Sequence, residues 1–284
     1  MRYLIADIVM ELITDRTEYI SEDLREFEYS GDRASDCVIN IRDYEEFKID
    51  EHDNTLVDCK RIYVAENDNE YKLEYRNLPV SGCVISKNLK SAYIYLRWDD
   101  YLEYPLFCAI RDIFFFKVQE RGMIAVHSSS IIYRDKAYVF SAPSGTGKTT
   151  HTNMWIQETD AQILDGDLCV LKREGRDVYA YGLPWAGSSR KFMNKKVKLG
   201  GIIFLVRSRK DVVRKPDVLN GILMLTARCF TPTFTADMVS KNTDVSASIG
   251  EVTDMYILEC TKKKSAFLAV RAAIDEDFRE ENRN

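Results

Sequence analysis

Hydrophobic and polar positions alternate through much of the first hundred residues. In 61–65, 71–75 and 92–98, Tyr and aliphatic side chains alternate. That period of two predicts half-buried antiparallel strands. The apolar run 4–12 predicts another strand. Polar stretches such as 66–70 separate these runs and read as hairpin turns. The pattern then changes. Residues 105–121 are apolar on nearly every side, with Pro105 suited to a helix's first turn and Gly122 to the place just past its end. A central helix joining two parts of the chain is expected there.

Beyond 122, short apolar runs mix with helical patterns. Runs at 128–133 and 137–141 flank the polar turn 134–136, which predicts a hairpin whose second strand enters a glycine-containing loop. A helix is expected over 147–158. Strands follow at 162–164, 168–172 and 178–182, the last two around a turn at 174–177. A buried strand at 199–206, helices near 216–229 and 262–275, and a strand at 255–260 complete the reading. The charged tail 275–284 is expected to fray. No internal repeat is present. The expected organisation is a β-rich recognition region, 1–104, a connecting helix, 105–121, and a third segment, 122–284, which carries the loop.

Composition narrows the classes. The chain has 284 residues, 45% of them apolar, enough for a substantial core. A formal charge of −5 argues against a nucleic-acid partner. The greasiest stretch, 104–118, is interrupted by Arg111 and Asp112, so no membrane span is expected. The first seven residues include an acid and no cleavage-site pattern, so no leader is expected. The seven cysteines are scattered, without zinc or redox spacing, and read as free thiols of a cytoplasmic protein. Three histidines leave no room for a multi-histidine metal site.

The candidate chemistry lies at 142–150, Ala-Pro-Ser-Gly-Thr-Gly-Lys-Thr-Thr. A strand, a glycine-containing turn and a helix opening with Lys-Thr is an arrangement that holds a triphosphate. Gly145 and Gly147 permit torsions that let successive N–H groups point inward at phosphate oxygens. The helix start adds free N–H groups and partial positive charge. Ser144, Gly145, Thr146, Gly147, Lys148, Thr149 and Thr150 are therefore the candidates for binding ATP. Lys148 reaches the β- and γ-phosphates, and the Thr149 hydroxyl ligates Mg²⁺. The usual pattern begins with Gly where this chain has Ala142. A Gly-Thr-rich helix cap is the plainer alternative.

Phosphoryl transfer also needs a metal-binding carboxylate, a base and positive charge near the transferring group. Asp165-Gly166-Asp167 follows the next predicted strand, where a carboxylate holds Mg²⁺ directly or through water. The same three residues also suit a plain Asp-Gly turn.

Taken together, His127, 137–150, Ile-Leu-Asp-Gly-Asp at 163–167 and Gly-Leu-Pro-Trp-Ala-Gly-Ser-Ser at 182–189 resemble the HPr kinase/phosphorylase and phosphoenolpyruvate carboxykinase nucleotide-binding fold. The likeness is greatest to the small HPr-kinase-like proteins of bacterial peptide-modification clusters, and it covers roughly 122–206. It implies an α/β fold with a mixed sheet around the phosphate loop, beside the mostly antiparallel β region at the N-terminus. It implies that 122–284 is a nucleotide-binding domain, that Lys148 contacts phosphates, and that Thr149 and Asp167 hold Mg²⁺. Asp167 matches the second of a paired Asp-Asp that supplies metal binding and the base; the first is Gly166 here. Asp165, two residues before Asp167, points to the same side in an extended segment and is the candidate replacement. The acidic residue that precedes Gly182 in the HPr kinase signature is also absent, with Tyr, Ala and Tyr at 179–181. The resemblance sets His127 beside the active site, as acid/base or phosphate contact.

In the 182–189 segment, Gly187, Ser188 and Ser189 are candidates to donate to phosphate or acceptor. Arg190 and Lys191 are candidates to neutralise charge in the transition state, or form a solvated basic loop. Trp185 stacks on a base or packs in the core. Lys262, Lys263 and Lys264 contact a phosphate or partner, or form a solvated face. The leading expectation is a kinase acting on a hydroxyl acceptor, either a serine of a peptide or small protein or a small metabolite. The alternative is a nucleotide-binding regulator with little catalysis. A carboxykinase-like enzyme is a third reading, for which no matching Lys/His metal pair is found. The resemblance also implies a homo-oligomer.

Overall fold

A computed structural model of the chain describes residues 1–43, 47–76, 78–97 and 101–275. Trp98, expected at the end of a strand, and the tail beyond Asp275 lie outside the described residues. The chain divides into two compact units, Met1–Arg121 with Pro232–Ser240, and Gly122–Thr231 with Lys241–Asn284. The segment Pro232–Ser240 thus belongs with the first unit, although the sequence pattern leaves 122–284 continuous.

The first unit is built on one mixed sheet. Its strands are β1 (Arg2–Ile5), β2 (Ile8–Ile13), β3 (Cys37–Asp43), β4 (Asn54–Asp58), β5 (Ile62–Glu66), β6 (Glu70–Tyr75), β7 (Val80–Ser86) and β8 (Ser91–Leu96), in the order β1-β2-β3-β8-β7-β6-β5-β4. β3 lies parallel to β2 and β8, and the other pairs are antiparallel. The period-two signal is plain in β8, where Ala92, Ile94 and Leu96 are buried and their neighbours are partly exposed. The run 4–12 is not one strand. Ala6 and Asp7 have φ of 46° and 65°, and the chain turns back between Ile5 and Ile8. Two-residue hairpin turns of this hand favour Gly, Asn and Asp, so Ala6 gave no turn signal. Helix α1 (Glu103–Glu120) follows within the same unit.

The second unit holds another mixed sheet: β9 (Met123–Tyr133), β10 (Lys136–Ser141), β11 (Gln162–Asp165), β12 (Leu168–Glu174), β13 (Asp177–Gly182), β14 (Lys196–Arg207), β15 (Val212–Arg214) and β16 (Met255–Cys260). The strand order is β10-β9-β12-β13-β14-β16-β15, with β11 paired to β9. β10 also pairs in parallel with β14, so β9, β12, β13, β14 and β10 form a closed circuit of hydrogen-bonded neighbours. The two long strands make this possible. β14 pairs with β13 through its first residues and with β10 and β16 farther on.

Alternation splits this unit's core into two clusters. Val139, Ile202, Phe204 and Ile257 pack with Leu225 of α3 (Val218–Thr226) and Ile249 of α4 (Ala236–Gly250). Phe140, Ile203, Leu205 and Leu258 pack with Trp155 of α2 (Lys148–Glu158) and Phe267 of α5 (Lys264–Ile274). Trp155 is fully buried, with Phe267 edge-on at 5.0 Å and Tyr138 stacked at 6.5 Å. Burying such a side chain stabilises the fold by about 3 kcal/mol, and it fixes α2 against the end of β10. Among the described residues no helix is long and apolar enough to cross a membrane.

A candidate phosphate-binding site

β9 changes partners halfway along, and that change builds the site. Residues 123–127 pair with β12, and 130–132 pair with β11. The turn between β11 and β12 stands off from β9 at this point, tied by the Ser128 N–H to the Asp167 carbonyl at 2.9 Å. On the other side of β9, β10 pairs through to Ser128 with Ser141. The Ser141 hydroxyl donates to the His127 carbonyl at 2.7 Å. His127, the 165–167 turn and the loop leaving β10 therefore meet at one place.

The loop itself turns on two glycines, Gly145 at φ 74° and Gly147 at φ 119°. L side chains rarely adopt either torsion. Gly147 is the N-cap of α2 and no side chain caps the helix, leaving its first N–H groups without a capping acceptor. Such a helix start suits an anion. Ala142 does not have positive φ and is buried, so the loop does not require Gly there. Thr149 and Thr150 are exposed at the opening of α2, and Ser144 is exposed on the loop.

Lys148 points back across this opening. It is only 9% exposed. Its Nζ lies 2.9 Å from His127 Nε2 and 3.3 Å from the Ala142 carbonyl, to which it donates. Burial lowers its pKa from the usual lysine value; Asp167 opposes the shift and Arg228 adds to it. His127 Nε2 also lies 3.3 Å from Asp167 Oδ1. The nitrogen serves one neighbour at a time, accepting from the ammonium or donating to the carboxylate. Lys148, His127 and Asp167 thus form one contiguous group. Phe230 meets the His127 ring edge-on at 5.3 Å, and the His127 backbone N–H donates to the Arg228 carbonyl at 3.0 Å.

The two aspartates of the 165–167 turn differ sharply. The Asp167 side chain is 42% exposed. Asp165 is fully buried. Its Oδ1 accepts from the Asp167 and Leu168 N–H groups at 2.9 and 3.1 Å, and its Oδ2 from the Leu183 N–H at 2.8 Å. Burial pushes its carboxyl up to about 8, against the pull of these donors. The expectation that Asp165 stands beside Asp167 as a second carboxylate therefore gives way to another arrangement. The segment is a turn rather than an extended strand, so side chains two apart do not share a face, and Asp165 spends both oxygens holding that turn to the 183 loop.

Gly166 has a steric reason. A Cβ there would lie 1.8 Å from Ser189 Oγ and 2.7 Å from Ser189 Cβ. Ser189 is held by donating to the Ala186 carbonyl at 2.7 Å. A Cβ on Gly187, at φ 58°, would lie 2.9 Å from the Asp167 carboxylate. The 187–189 turn is therefore packed directly on the acidic turn. Trp185 is buried. Arg190 and Lys191 are exposed, and Arg190 itself sits at φ 49°. Two further cations belong to the neighbourhood without any motif to announce them. Arg207, at the end of β14, donates to the Gly145 carbonyl, and Arg228 acts on Lys148 through charge.

Among the described residues there is no cluster of three or more His, Cys, Asp or Glu that would cage a metal. The Asp167 carboxylate and the Thr149 hydroxyl are both exposed oxygen donors. That set fits Mg²⁺, which takes one or two carboxylates plus substrate phosphates and waters.

No protein-family model and no curated protein matches the chain. Among solved structures it is similar to the HPr(Ser) kinase/phosphatase from Coxiella burnetii, at 9% identity and a TM-score of 0.33, over 56% of this chain and 99% of that one. A likeness this slight leaves the chemistry to be judged from the residues themselves.

Proposed function

We propose that the protein is a phosphotransferase that takes ATP on the 142–150 loop and passes its γ-phosphoryl group to a hydroxyl. The acceptor is a serine of a peptide or small protein, or a small metabolite. The observation that carries this reading is the position of Lys148. Its ammonium is withdrawn from water between His127 and the Ala142 carbonyl, at the mouth of an uncapped helix N-terminus. A plain helix cap has no use for a desolvated cation there, whereas a polyphosphate supplies far more counter-charge than the single Asp167 carboxylate that acts on it.

In the transfer, the acceptor oxygen forms a bond to phosphorus as the bond from phosphorus to the ADP oxygen breaks. The acceptor's proton goes to the Asp167 carboxylate, with His127 Nε2 the second base in reach. Lys148 and the N–H groups of the loop hold the charge that spreads over the transferring oxygens. Thr149 and Asp167 would hold Mg²⁺, which supplies further charge neutralisation on the phosphates.

A second reading is favoured by one observation. Asp165 is committed to the backbone, so Asp167 is the only exposed carboxylate of the turn. A nucleotide-binding regulator needs no more than that. Incubation with γ-labelled Mg·ATP and hydroxyl acceptors separates the two. Transfer by the wild type, reduced at least ~10²-fold in Lys148→Met with melting unchanged, is the expected result. Equal transfer by both would contradict the mechanism, and bound ATP with no transfer to any acceptor would favour the regulator.

A further inference from the structure

The side chain that residue 166 lacks leaves a place that the fold fills from another segment. A Cβ on Gly166 would lie 1.8 Å from Ser189 Oγ, so that hydroxyl stands almost where a side chain of residue 166 would begin. Ser189 belongs to the short turn 187–189, whose backbone packs on Asp167: a Cβ on Gly187 would lie 2.9 Å from Asp167 Oδ2. The hydroxyl of one turn and the carboxylate of the other therefore belong to the same contact. The segment that follows is anchored as well. Phe192 bridges to Asp165, and the Met193 N–H donates to the Leu164 carbonyl at 2.9 Å, which ties the chain after the turn to β11.

The hydroxyl is set as an acceptor. Its proton is already committed to the Ala186 carbonyl at 2.7 Å. The Lys191 N–H approaches its oxygen at 3.3 Å, longer than an ordinary N–H···O bond. A serine oxygen carries two acceptor lone pairs, so one is left over. Ser189 is only partly buried and the Asp167 side chain is 42% exposed, so a hydrated ion can approach both. Asp165 has no oxygen to add, because both of its own accept backbone N–H groups inside the fold. The 165–167 turn thus brings one carboxylate to a hard cation that takes six oxygen ligands.

We propose that Ser189 Oγ stands in for the missing carboxylate of the pair, as a neutral oxygen donor to the metal ion that Asp167 and Thr149 would hold. The inference rests on the metal role given to those two residues. It also changes what Ser189 contributes: the sequence suggests a donor to phosphate or acceptor, whereas in the structure the proton is taken and a lone pair remains. A hydroxyl in place of a carboxylate leaves the protein one negative charge short, so the metal depends on the nucleotide's phosphates and arrives with them.

The test measures Mn²⁺, a hard ion that takes oxygen ligands like Mg²⁺, by electron paramagnetic resonance on the whole chain with ADP present. Wild type is expected to bind Mn²⁺ in this mixture. Ser189→Ala is expected to weaken Mn²⁺ about tenfold or more, with the affinity for metal-free ADP unchanged. Ser189→Cys separates ligation from packing. A thiolate favours a softer ion, so this variant should prefer Zn²⁺ over Mn²⁺ more strongly than Ser189→Ala, which has every other cysteine in common with it. Thermal melts check that each variant folds, and if Ser189→Ala does not, Ser189→Cys against wild type decides. Equal Mn²⁺ affinity in wild type and Ser189→Ala overturns the ligand role alone, as does a Ser189→Cys protein without the Zn²⁺ preference. No Mn²⁺ bound by wild type overturns the metal role of Asp167 and Thr149 with it, and ADP binding in the same samples shows whether the phosphate loop still stands.

Discussion

Gly166→Asp restores, on paper, the paired Asp-Asp of the family that the sequence resembles. The structure predicts damage. The new Cβ would fall 1.8 Å from Ser189 Oγ and 2.7 Å from Ser189 Cβ. Rotating the hydroxyl away does not relieve the second contact, so the 187–189 turn must move. Moving it breaks the bond from Ser189 to the Ala186 carbonyl at 2.7 Å, a loss of about 1 kcal/mol. Overpacking adds about 1–3 kcal/mol. A new carboxylate beside Asp167 adds repulsion. The total of roughly 2–4 kcal/mol corresponds to a drop in Tm of about 5–15 °C for a chain of this size. Thermal melting of Gly166→Asp, Ser189→Gly and the double variant measures it. Ser189→Gly removes the clashing atoms, so the double variant should recover at least half of the loss, a coupling typical of touching residues. An unchanged Tm together with faster phosphoryl transfer in Gly166→Asp would show that Ser189 does not exclude a side chain at 166.

Asp165→Asn turns one amide N–H₂ toward a backbone N–H whichever way it is set, because both oxygens accept donors. It should destabilise by about 1–3 kcal/mol, read as a lowered Tm. Asp167→Asn leaves the turn intact and should lower transfer ~10²–10⁴-fold with little change in Tm, as assayed with γ-labelled ATP. His151 makes stability pH-dependent. Its folded value, about 4, lies below the ordinary 6.5, so between these the unfolded chain binds more protons and stability falls as pH falls from 6.5 to 4. The loss is at most about 3 kcal/mol. Comparing Tm at neutral and acid pH should show a smaller drop for His151→Leu than for wild type, and equal drops would contradict the assignment.

Local signals account for what was legible in the sequence. The hairpin of β9 and β10 has its turn at Arg134 and Asp135, both at positive φ, where Asp gives a recognisable cue. β16 coincides with its apolar run at 255–260. Ala236–Gly250 gives no helix signal because Ser, Val and Asp recur in it, residues with weak helix propensity. β15 is three residues long and carries no pattern of its own. At the site, the glycine torsions and the helix start follow from 142–150 directly. The role of Asp165 does not, since it depends on Leu183 coming from a distant strand end. Nor do Arg207 and Arg228, which reach the loop only because β14 and the segment after α3 end beside it. Long-range pairing set these contacts, and a single sequence has no local mark for it.

In the proposed mechanism the 142–150 loop closes on a triphosphate with Lys148 as its counter-ion. Calorimetric titration of the whole chain with Mg·ATP, alongside Lys148→Met, decides this. Wild type should give saturable heat and a rise in stability of about 2.7 kcal/mol when nucleotide reaches a hundred times Kd, and both effects should be largely lost in the variant. No heat and no thermal shift at millimolar Mg·ATP, or identical binding by Lys148→Met, would contradict it.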